Sequence, residues 1–326
     1  MNTYKGEAVD SVFIGGGTPS VLPNELLKRL LKAVWDNFTI KEDSEFTVEV
    51  NPKTIDKEKA SLMRKMNVNR ISVGVQSFND NELSAVGRVH NSADAIRTIE
   101  ILNDVGFSNI SLDLMMSLPY QTEDSFKKSL EKAISLPITH ISVYSLIIED
   151  DTPIKKKYDS GVFAVPDENI DRRLYAYTKN FLKAHGFTRY EISNYAKPGY
   201  ESKHNRKYWN LDEYIGIGLA AHSFVGGMRY YNTDKLADYL SGDCRAGCDV
   251  LTKQDMMGEY MMLSLRTGEG ALKSEFVSKF GCSIESIYKD VLDKFISLSL
   301  LERTDTGYAL TDAGLDVSNT VMCEFL

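Results

Sequence analysis

Residues 9–37 read VDSVFIGGGTPSVLPNELLKRLLKAVWDN, and this stretch decides the fold class. Its first part, Val9–Ile14, is rich in β-branched and aromatic residues, which predicts a strand. Three glycines follow directly. The stretch Asn24–Asn37 then has apolar residues at helical spacing and begins with a residue type that favours helix starts. A strand, a glycine turn and a helix in this order form one β/α unit.

The same alternation continues through the first half of the chain. Further candidate strands are Glu45–Val50, Arg70–Val75, Asn109–Met115 and His140–Leu146. The candidate helices between them are Asp56–Lys65, Ser92–Val105 and Thr122–Ser135. This rhythm predicts an α/β fold with a parallel sheet, either open or barrel-shaped. Because the chain opens almost directly on a strand, a barrel of this kind would have its first unit missing or upstream.

The second half has a different pattern. It contains a long candidate helix, Asp167–His185, and then an aromatic-rich region that extends to Tyr231. Helices resume after residue 250, and a hairpin is expected around Asp305-Thr306-Gly307. Helices followed by a small hairpin indicate a winged-helix-like domain. We therefore predict three parts, with boundaries at 1–165, 166–249 and 250–326.

Composition narrows the functional classes. The chain has 326 residues and a net charge of −8, so nucleic acid is a poor candidate partner, since phosphate binding needs a basic surface. No apolar run is long enough to span a bilayer, and the N-terminus lacks the apolar core of a signal peptide. Four cysteines are too few for a disulfide scaffold, which favours a cytoplasmic location.

Polar residues at the ends of consecutive strands predict a binding site. Glu49, Gln76 and Asp113 lie at or near the ends of three successive candidate strands, and Arg88 follows the second of them. Ligands of α/β folds bind at the carboxyl ends of the strands. The turn Gly15–Thr18 lies at the same end, where bare backbone allows a ligand to approach, although a plain tight turn explains these glycines equally well.

Four segments taken in order resemble a known family. GGGTPS, VEVNP, GVQSF followed by Gly87-Arg88, and DLMMSLP are similar to the core that binds S-adenosylmethionine (SAM) in the radical SAM family of anaerobic coproporphyrinogen oxidases. The resemblance implies a partial (βα) barrel. It also implies a SAM site, whose expected residues are Gly16, Gly17, Thr18, Glu49, Gln76, Arg88 and Asp113.

Each of these residues has an expected role. The glycines and Thr18 would approach the methionine end of SAM, and Gln76 and Asp113 would suit the ribose and nearby polar groups. Glu49 and Arg88 suit the ammonium and carboxylate of SAM, because a zwitterion needs one partner of each sign.

The chain departs from the family at its iron–sulfur cluster. The family holds a 4Fe–4S cluster with a Cys-x3-Cys-x2-Cys loop upstream of the glycine turn, and no cysteine precedes Gly15 here. Cys244 and Cys248 have only the first of these spacings and are expected to be free thiols. Either the start is truncated or this is a cluster-free homologue. A missing first barrel unit would expose a sheet edge, which favours truncation, so a cluster is expected only in a full-length form.

A histidine among aromatic residues predicts a second site. His204-Asn205-Arg206-Lys207-Tyr208-Trp209 could form a heme pocket, with imidazole as the axial ligand and aromatic rings against the porphyrin. Composition alone favours a structural histidine. The HNxxYW string, however, resembles the heme-chaperone branch of the family, the HemW-type proteins. The resemblance thus implies a heme site at His204, Asn205, Tyr208 and Trp209, with His204 as the iron ligand and His222 as a second candidate.

The sequence therefore predicts a heme chaperone that binds heme and SAM and delivers heme to recipient proteins. No catalytic residue is assigned, and enzymatic activity stays open. The alternatives are an oxygen-independent coproporphyrinogen III oxidase and a cluster-free scaffold protein. Any membrane contact is expected to be peripheral, through a membrane-bound heme recipient. The sequence indicates neither the recipient nor an oligomeric state.

Overall fold

A computed structural model describes residues 8–326, except for the side chain of Glu168. The chain divides into two compact units. Unit 1 extends to Arg189 and also includes Ser193–Ser202, whereas unit 2 comprises Tyr190–Ile192 and Lys203–Leu326. The division into three parts stays a prediction.

Unit 1 is built on one seven-stranded sheet in the order β1-β2-β3-β4-β5-β7-β6. The first five strands are parallel, and the last two run antiparallel to their neighbours. The strands are β1 (Ala8–Ile14), β2 (Thr39–Val50), β3 (Arg70–Gln76), β4 (Ile110–Met116), β5 (His140–Ser145), β6 (Thr188–Arg189) and β7 (Asn194–Ala196). The sheet curls into a half-barrel, which confirms the predicted partial (βα) barrel.

Between residues 8 and 202, seven α-helices accompany this sheet. They are α1 (Asn24–Asn37), α2 (Lys57–Lys65), α3 (Asp80–Ala85), α4 (Ser92–Asp104), α5 (Glu123–Ile134), α6 (Pro153–Asp159) and α7 (Glu168–Ala184). Several begin at side chains that accept a hydrogen bond from the first turn, as Asp56 does for α2 and Asn91 for α4. Such caps fix where each helix starts after its strand.

The two faces of the parallel sheet differ in polarity. Side chains alternate between the faces of a strand, and one set is apolar, fully buried and packed in the core with the helices. On the four central strands this set includes Val48, Val50, Ile71, Val73, Ile110, Leu112, Leu114, Ile141 and Val143. The other set is largely polar and lines the concave face: Glu45, Thr47, Glu49, Arg70, Ser72, Ser111, Asp113, His140, Ser142 and Tyr144. The acids within apolar strands therefore lie on the inside of the half-barrel.

The amino end of this concave face is closed by a buried polar group. Arg70 lies 3.9 Å from Glu45, measured from Nε to Oε2, and Ser202 Oγ donates to the other carboxylate oxygen at 3.0 Å. His140 is fully buried, and its Nδ1 shares a 2.7 Å hydrogen bond with Ser111 Oγ. Burial, reinforced by the Arg70 charge, holds the pKa of His140 well below its usual range.

Unit 2 contains two small sheets. The first has the order β10-β9-β8 and is formed by β8 (His222–Val225), β9 (Met228–Asn232) and β10 (Arg245–Val250). The second has the order β11-β13-β12 and is formed by β11 (Ala271–Leu272), β12 (Leu301–Arg303) and β13 (Gly307–Leu310). The hairpin expected around Asp305-Thr306-Gly307 is present, as the antiparallel pair β12 and β13.

The helices of unit 2 pack around a separate apolar core. They are α8 (Lys203–Trp209), α9 (Leu236–Ser241), α10 (Lys253–Ser264), α11 (Lys273–Phe280), α12 (Ile284–Ser297), α13 (Asp312–Asp316) and α14 (Ser318–Cys323). The helices α10, α11 and α12, followed by the hairpin of β12 and β13, give the winged-helix-like arrangement after residue 250. None of the helices within residues 8–326 is both long and apolar enough to cross a membrane.

The buried histidine of unit 1 should make its stability depend on pH. Because the folded-state pKa of His140 is lowered, the unfolded chain binds more protons below about pH 6.5. This side chain should then remove up to about 1.4 kcal/mol of stability per pH unit as the pH falls further. Urea unfolding followed by Trp35 fluorescence in a Trp209→Phe background measures this slope. His140→Asn should reduce the slope, whereas the exposed control His185→Asn should leave it unchanged; equal slopes in all three would contradict this assignment.

Candidate functional site

The glycine turn after β1 brings backbone against a carboxylate. Gly16 N–H donates to Glu49 Oε2 at 3.2 Å, and Gly16 has a φ of +86°, a conformation that glycine adopts without strain. Gly15 has no room for a side chain, because a Cβ there would lie 2.5 Å from the Glu49 carboxyl group. Gly17 faces open space. The three glycines thus have separate roles: contact with Glu49, turn geometry and an open approach.

A chain of hydrogen bonds joins the turn to the arginine. Asn51 Nδ2 donates to Thr18 Oγ1 at 2.8 Å, and Arg88 Nη1 donates to Asn51 Oδ1 at 3.3 Å. Sequence reasoning placed Thr18 and Arg88 in the site but gave Asn51 no role. The available signal was its position directly after the strand that carries Glu49.

The residue at the end of β3 is held in a strained conformation. Gln76 has a φ of +70° and is buried, and its Oε1 accepts a 3.1 Å hydrogen bond from Tyr144 Oη. Non-glycine residues in this region cost free energy and cluster at functional sites. Burial raises the pKa of Tyr144 to about 12, so its hydroxyl stays protonated and can donate. Tyr144 is a second site residue that the sequence analysis did not assign.

Two carboxyl groups share this site with one arginine. Burial raises the pKa of Glu49 despite the Gly16 hydrogen bond, and the Asp113 charge adds to the shift. Burial likewise raises the pKa of Asp113, opposed by hydrogen bonds from Ser142 and Ser72 and by the charges of Arg70 and Arg88. The structure therefore places Glu49, Gln76, Arg88 and Asp113 near one another, and their roles in ligand binding stay predictions.

Asp113 lies deeper in the half-barrel than the strand ends. It is the fourth residue of β4 and pairs in register with Ser142 of β5, whereas Gln76 is the last residue of β3. By strand register, Glu49 is level with Ser72 of β3 and Ser111 of β4, two residues nearer the amino ends of the strands than Asp113.

The charges at the mouth of the half-barrel suit a zwitterionic ligand. Within residues 8–326, neither Glu49 nor Arg88 takes part in a salt bridge. Both side chains are only partly buried and are therefore reachable. A ligand with an ammonium and a carboxylate group supplies one counter-charge to each, and charge-assisted hydrogen bonds of this kind are the strong ones. The residues present therefore fit the methionine end of SAM.

The histidine segment lies in unit 2, on the short helix α8. His204 Nε2 and Tyr208 Oη are hydrogen-bonded at 3.1 Å, and the two rings meet edge to face. Tyr208 makes a further edge contact with Tyr214, with ring centroids 4.6 Å apart. Burial raises the pKa of Tyr208, so its hydroxyl is neutral at physiological pH.

An arginine side chain packs against the last residue of α8. The guanidinium of Arg266 lies over the Trp209 ring, 4.7 Å from its centroid, and also 3.6 Å from Glu191 Oε2. The indole N–H of Trp209 is buried without a hydrogen-bond partner among the described residues. His222, the second candidate, is exposed and stacks on Tyr231 at 5.4 Å. His204 thus contacts the Tyr208 ring, which in turn contacts Tyr214, whereas His222 lies at the edge of a sheet.

Two known protein families match this chain, one in each half. Residues 2–133 match the model of the radical SAM superfamily, and residues 251–317 match that of the HemN C-terminal domain. The heme chaperone HemW of Lactococcus lactis is 37% identical over all of this chain and 87% of its own length. HemW of Escherichia coli is 32% identical over 99% of this chain and 85% of its own length. This chain belongs to the HemW family.

The solved structure of coproporphyrinogen III oxidase (HemN) from Escherichia coli, a radical SAM enzyme, has the same fold. It superposes with a TM-score of 0.85 over 98% of this chain and 78% of its own, at 22% identity. At this identity the likeness concerns the fold alone. The HemW family is therefore identified by sequence, and the half-barrel by structure.

The residues of this HemW-family chain do not fit a 4Fe–4S cluster. All four cysteines lie in unit 2, outside the half-barrel, and all are free thiols. Within the described residues, no group of three histidine, cysteine or acidic side chains is arranged to hold a metal. Cys244 donates to the Tyr239 carbonyl oxygen and Cys248 is exposed on β10.

The close approach at Gly15 predicts a selective effect of one methyl group. Gly15→Ala places a Cβ 2.5 Å from the Glu49 carboxyl group and 2.7 Å from a ring carbon of Phe13, so these side chains must shift, and such overpacking should cost about 1–3 kcal/mol of unfolding free energy. Gly17→Ala is the matched control, since its Cβ meets nothing within 4 Å, and it should cost about 0.5 kcal/mol or less. Urea unfolding followed by Trp35 fluorescence in a Trp209→Phe background compares the two variants. Equal stabilities would contradict tight packing of the Glu49 and Phe13 side chains against Gly15.

Proposed function

We propose that this protein is a heme chaperone that binds heme at residues 204–209, binds SAM in the half-barrel and delivers heme to recipient proteins in the cytoplasm. The observation that carries the proposal is the contact of His204 with the Tyr208 ring, in a chain whose relatives over nearly its whole length bear the name heme chaperone HemW. The recipients would be proteins that accept heme, and any membrane contact would be made through them.

The heme half of the proposal depends on the His204 imidazole. An axial ligand needs a ring nitrogen with an available lone pair, together with an apolar wall and space for the macrocycle. Tyr208 and Tyr214 supply aromatic walls on one side of the ring. His204 Nε2 is engaged by the Tyr208 hydroxyl, so a heme iron that takes this nitrogen must displace that hydrogen bond. Tyr208 therefore competes with iron for this nitrogen.

The SAM half of the proposal depends on the uncompensated charges at the mouth of the half-barrel. Arg88, held by Asn51, would bind the carboxylate of SAM, and Glu49, held by Gly16, would bind its ammonium group. Gln76 and Asp113 lie farther along the concave face, where hydrogen-bonding groups suit a ribose. When bound, SAM would also bring a positively charged sulfonium near the carboxyl groups of Glu49 and Asp113.

The oxidase alternative has less support. This chain is similar to HemN of Escherichia coli in fold, at 22% sequence identity. The HemW relatives are 31–37% identical to it over nearly its whole length. The HNxxYW segment also resembles the heme-chaperone branch of the family rather than the oxidases. The scaffold alternative assigns no ligand to His204 or to the Glu49 and Arg88 pair.

Heme titration with histidine variants tests the proposal. His204→Ala should lose or shift the Soret band and weaken heme binding on the order of tenfold or more, because the iron loses its axial donor. His222→Ala should retain both the spectrum and the affinity of the wild type. Thermal melting of each variant, monitored by circular dichroism, controls for loss of the fold.

A tyrosine variant refines the test. Tyr208→Phe keeps the aromatic wall but removes the hydroxyl that occupies His204 Nε2. It should therefore bind heme as tightly as the wild type or more tightly, with the Soret band in the same position. An unchanged titration in a folded His204→Ala variant refutes His204 as the ligand. Loss of the band in Tyr208→Phe alone would assign the iron to the tyrosine.

A further inference from the structure

A fully buried carboxylate lies behind the proposed SAM site. Glu82, in the first turn of α3, has no exposed surface. Its Oε2 accepts from Ser77 Oγ at 2.6 Å and from Gln121 Nε2 at 3.1 Å, and its Oε1 accepts from Ser125 Oγ. Within the described residues it forms no salt bridge. Buried carboxylates are costly unless they are fully hydrogen-bonded, and this one is satisfied by three neutral donors.

These donors come from two different loops of the half-barrel. Ser77 directly follows β3, whereas Gln121 and Ser125 belong to the connection from β4 into α5. Each donor is itself fixed: Ser77 Oγ accepts from Asn79 N–H at 2.9 Å, and Gln121 Nε2 also donates to the Met115 carbonyl at 3.0 Å. Glu82 therefore joins neighbouring β/α loops at the carboxyl edge of the sheet.

The helix that carries Glu82 has few other attachments to the core. Only Glu82 and Leu83 of the six α3 residues are buried. The segment from Ser77 to Gly87 is attached to the remainder of unit 1 by the buried Leu83, by the Phe78 side chain, which packs against the apolar core, and by the hydrogen bonds of Glu82. The Phe78 N–H also donates to Ser129 Oγ at 3.2 Å. Loss of the Glu82 carboxylate would remove the hydrogen bonds to Gln121 and Ser125.

Two site residues flank this segment. Gln76, with its left-handed backbone, directly precedes Ser77, and Arg88 directly follows Gly87. The Arg88 backbone N–H donates to the Leu83 carbonyl at 2.9 Å, so the position of Arg88 depends on the helix. On the far side, His90 Nε2 donates to the Val75 carbonyl at 3.1 Å. Arg88 thus lies in the sequence between two buried side chains, Glu82 and His90, and each of these is held by hydrogen bonds.

We propose that Glu82 is a positioning residue that holds the β3–α3 loop so that the Arg88 guanidinium faces the carboxylate of SAM. The inference rests on the proposed SAM site and adds a residue that makes no contact with the ligand. Glu82 acts through Ser77, Gln121 and Ser125, and its removal breaks the hydrogen bonds that join these three residues.

Binding measurements with two ligands separate positioning from general stability. Glu82→Ala should weaken SAM binding by about tenfold, since the ligand carboxylate loses a well-placed charged hydrogen bond. Methylthioadenosine, which lacks the amino-acid end, should bind equally well to wild type and variant. Glu82→Gln retains an acceptor oxygen in the same place and should restore most of the SAM affinity. Thr178→Ala, which removes a fully buried hydroxyl elsewhere in unit 1, controls for destabilisation and should change neither affinity.

A double variant tests the route through the arginine. In an Arg88→Ala background, which should itself weaken SAM binding, Glu82→Ala should add less than about twofold, because the two residues act as one unit. Additive losses, or equal losses for SAM and methylthioadenosine in Glu82→Ala, would overturn the proposal.

Hydrogen exchange on the ligand-free protein tests the same inference without SAM. Glu82→Ala should speed amide exchange in residues 77–90 and around its partners Gln121 and Ser125, and leave the remainder of unit 1 unchanged, whereas Glu82→Gln should stay close to wild type. If the wild type fails to bind SAM, the SAM site itself is refuted and this measurement still decides whether Glu82 positions the loop. Unchanged exchange in residues 77–90 would refute the positioning role.

Discussion

The period-two alternation of the β-strands is the constraint on which the half-barrel depends. Parallel strands are usually apolar on both faces, because helices cover them. In unit 1 only the outer face is apolar, and the side chains of Val48, Val73 and Leu112 pack in the helix-covered core. The inner face carries acids, hydroxyls, an arginine and a histidine. A shift of one residue in any strand would exchange the two faces and bury charge against the helices.

The charges on the inner face are balanced differently at its two ends. At the amino end, Arg70 and Glu45 lie close together and are almost fully buried, so this layer is neutralised within the protein. At the carboxyl end, Glu49 and Arg88 remain partly exposed, and each is held by a neutral hydrogen-bonding group. The protein therefore presents separated opposite charges at one end only. This arrangement explains why a zwitterionic ligand suits the carboxyl end of the half-barrel.

The fold and much of the site could be predicted from sequence because strands and helices have local signals. The five parallel strands and the helices between them follow from hydrophobic periodicity and helix caps, and strand order brings Glu49, Gln76 and Asp113 together. Asn51 and Tyr144 have no such local signal, because their roles depend on partners from other β/α units, Arg88 and Gln76.

Backbone geometry and long-range burial set a further limit on sequence reasoning. The left-handed backbone of Gln76 is not encoded by a glycine, and Glu82 occurs in the polar string FNDNEL, which is typical of an exposed helix start. Glu82 becomes a buried acceptor because Gln121 and Ser125, some forty residues later in the sequence, donate hydrogen bonds to it. In the same way, the chain enters unit 2 at Tyr190–Ile192 and goes back to unit 1 for Ser193–Ser202. This path is a property of three-dimensional packing.

The central claim is that the concave face binds SAM through opposite charges supplied by Glu49 and Arg88. A crystal structure of the protein grown with saturating SAM tests it most directly. The account predicts electron density at the mouth of the half-barrel, with the ligand carboxylate on Arg88 and its ammonium on Glu49 beside the Gly15–Gly17 turn. Density for SAM in another place, or with its amino-acid end away from both side chains, would contradict the account.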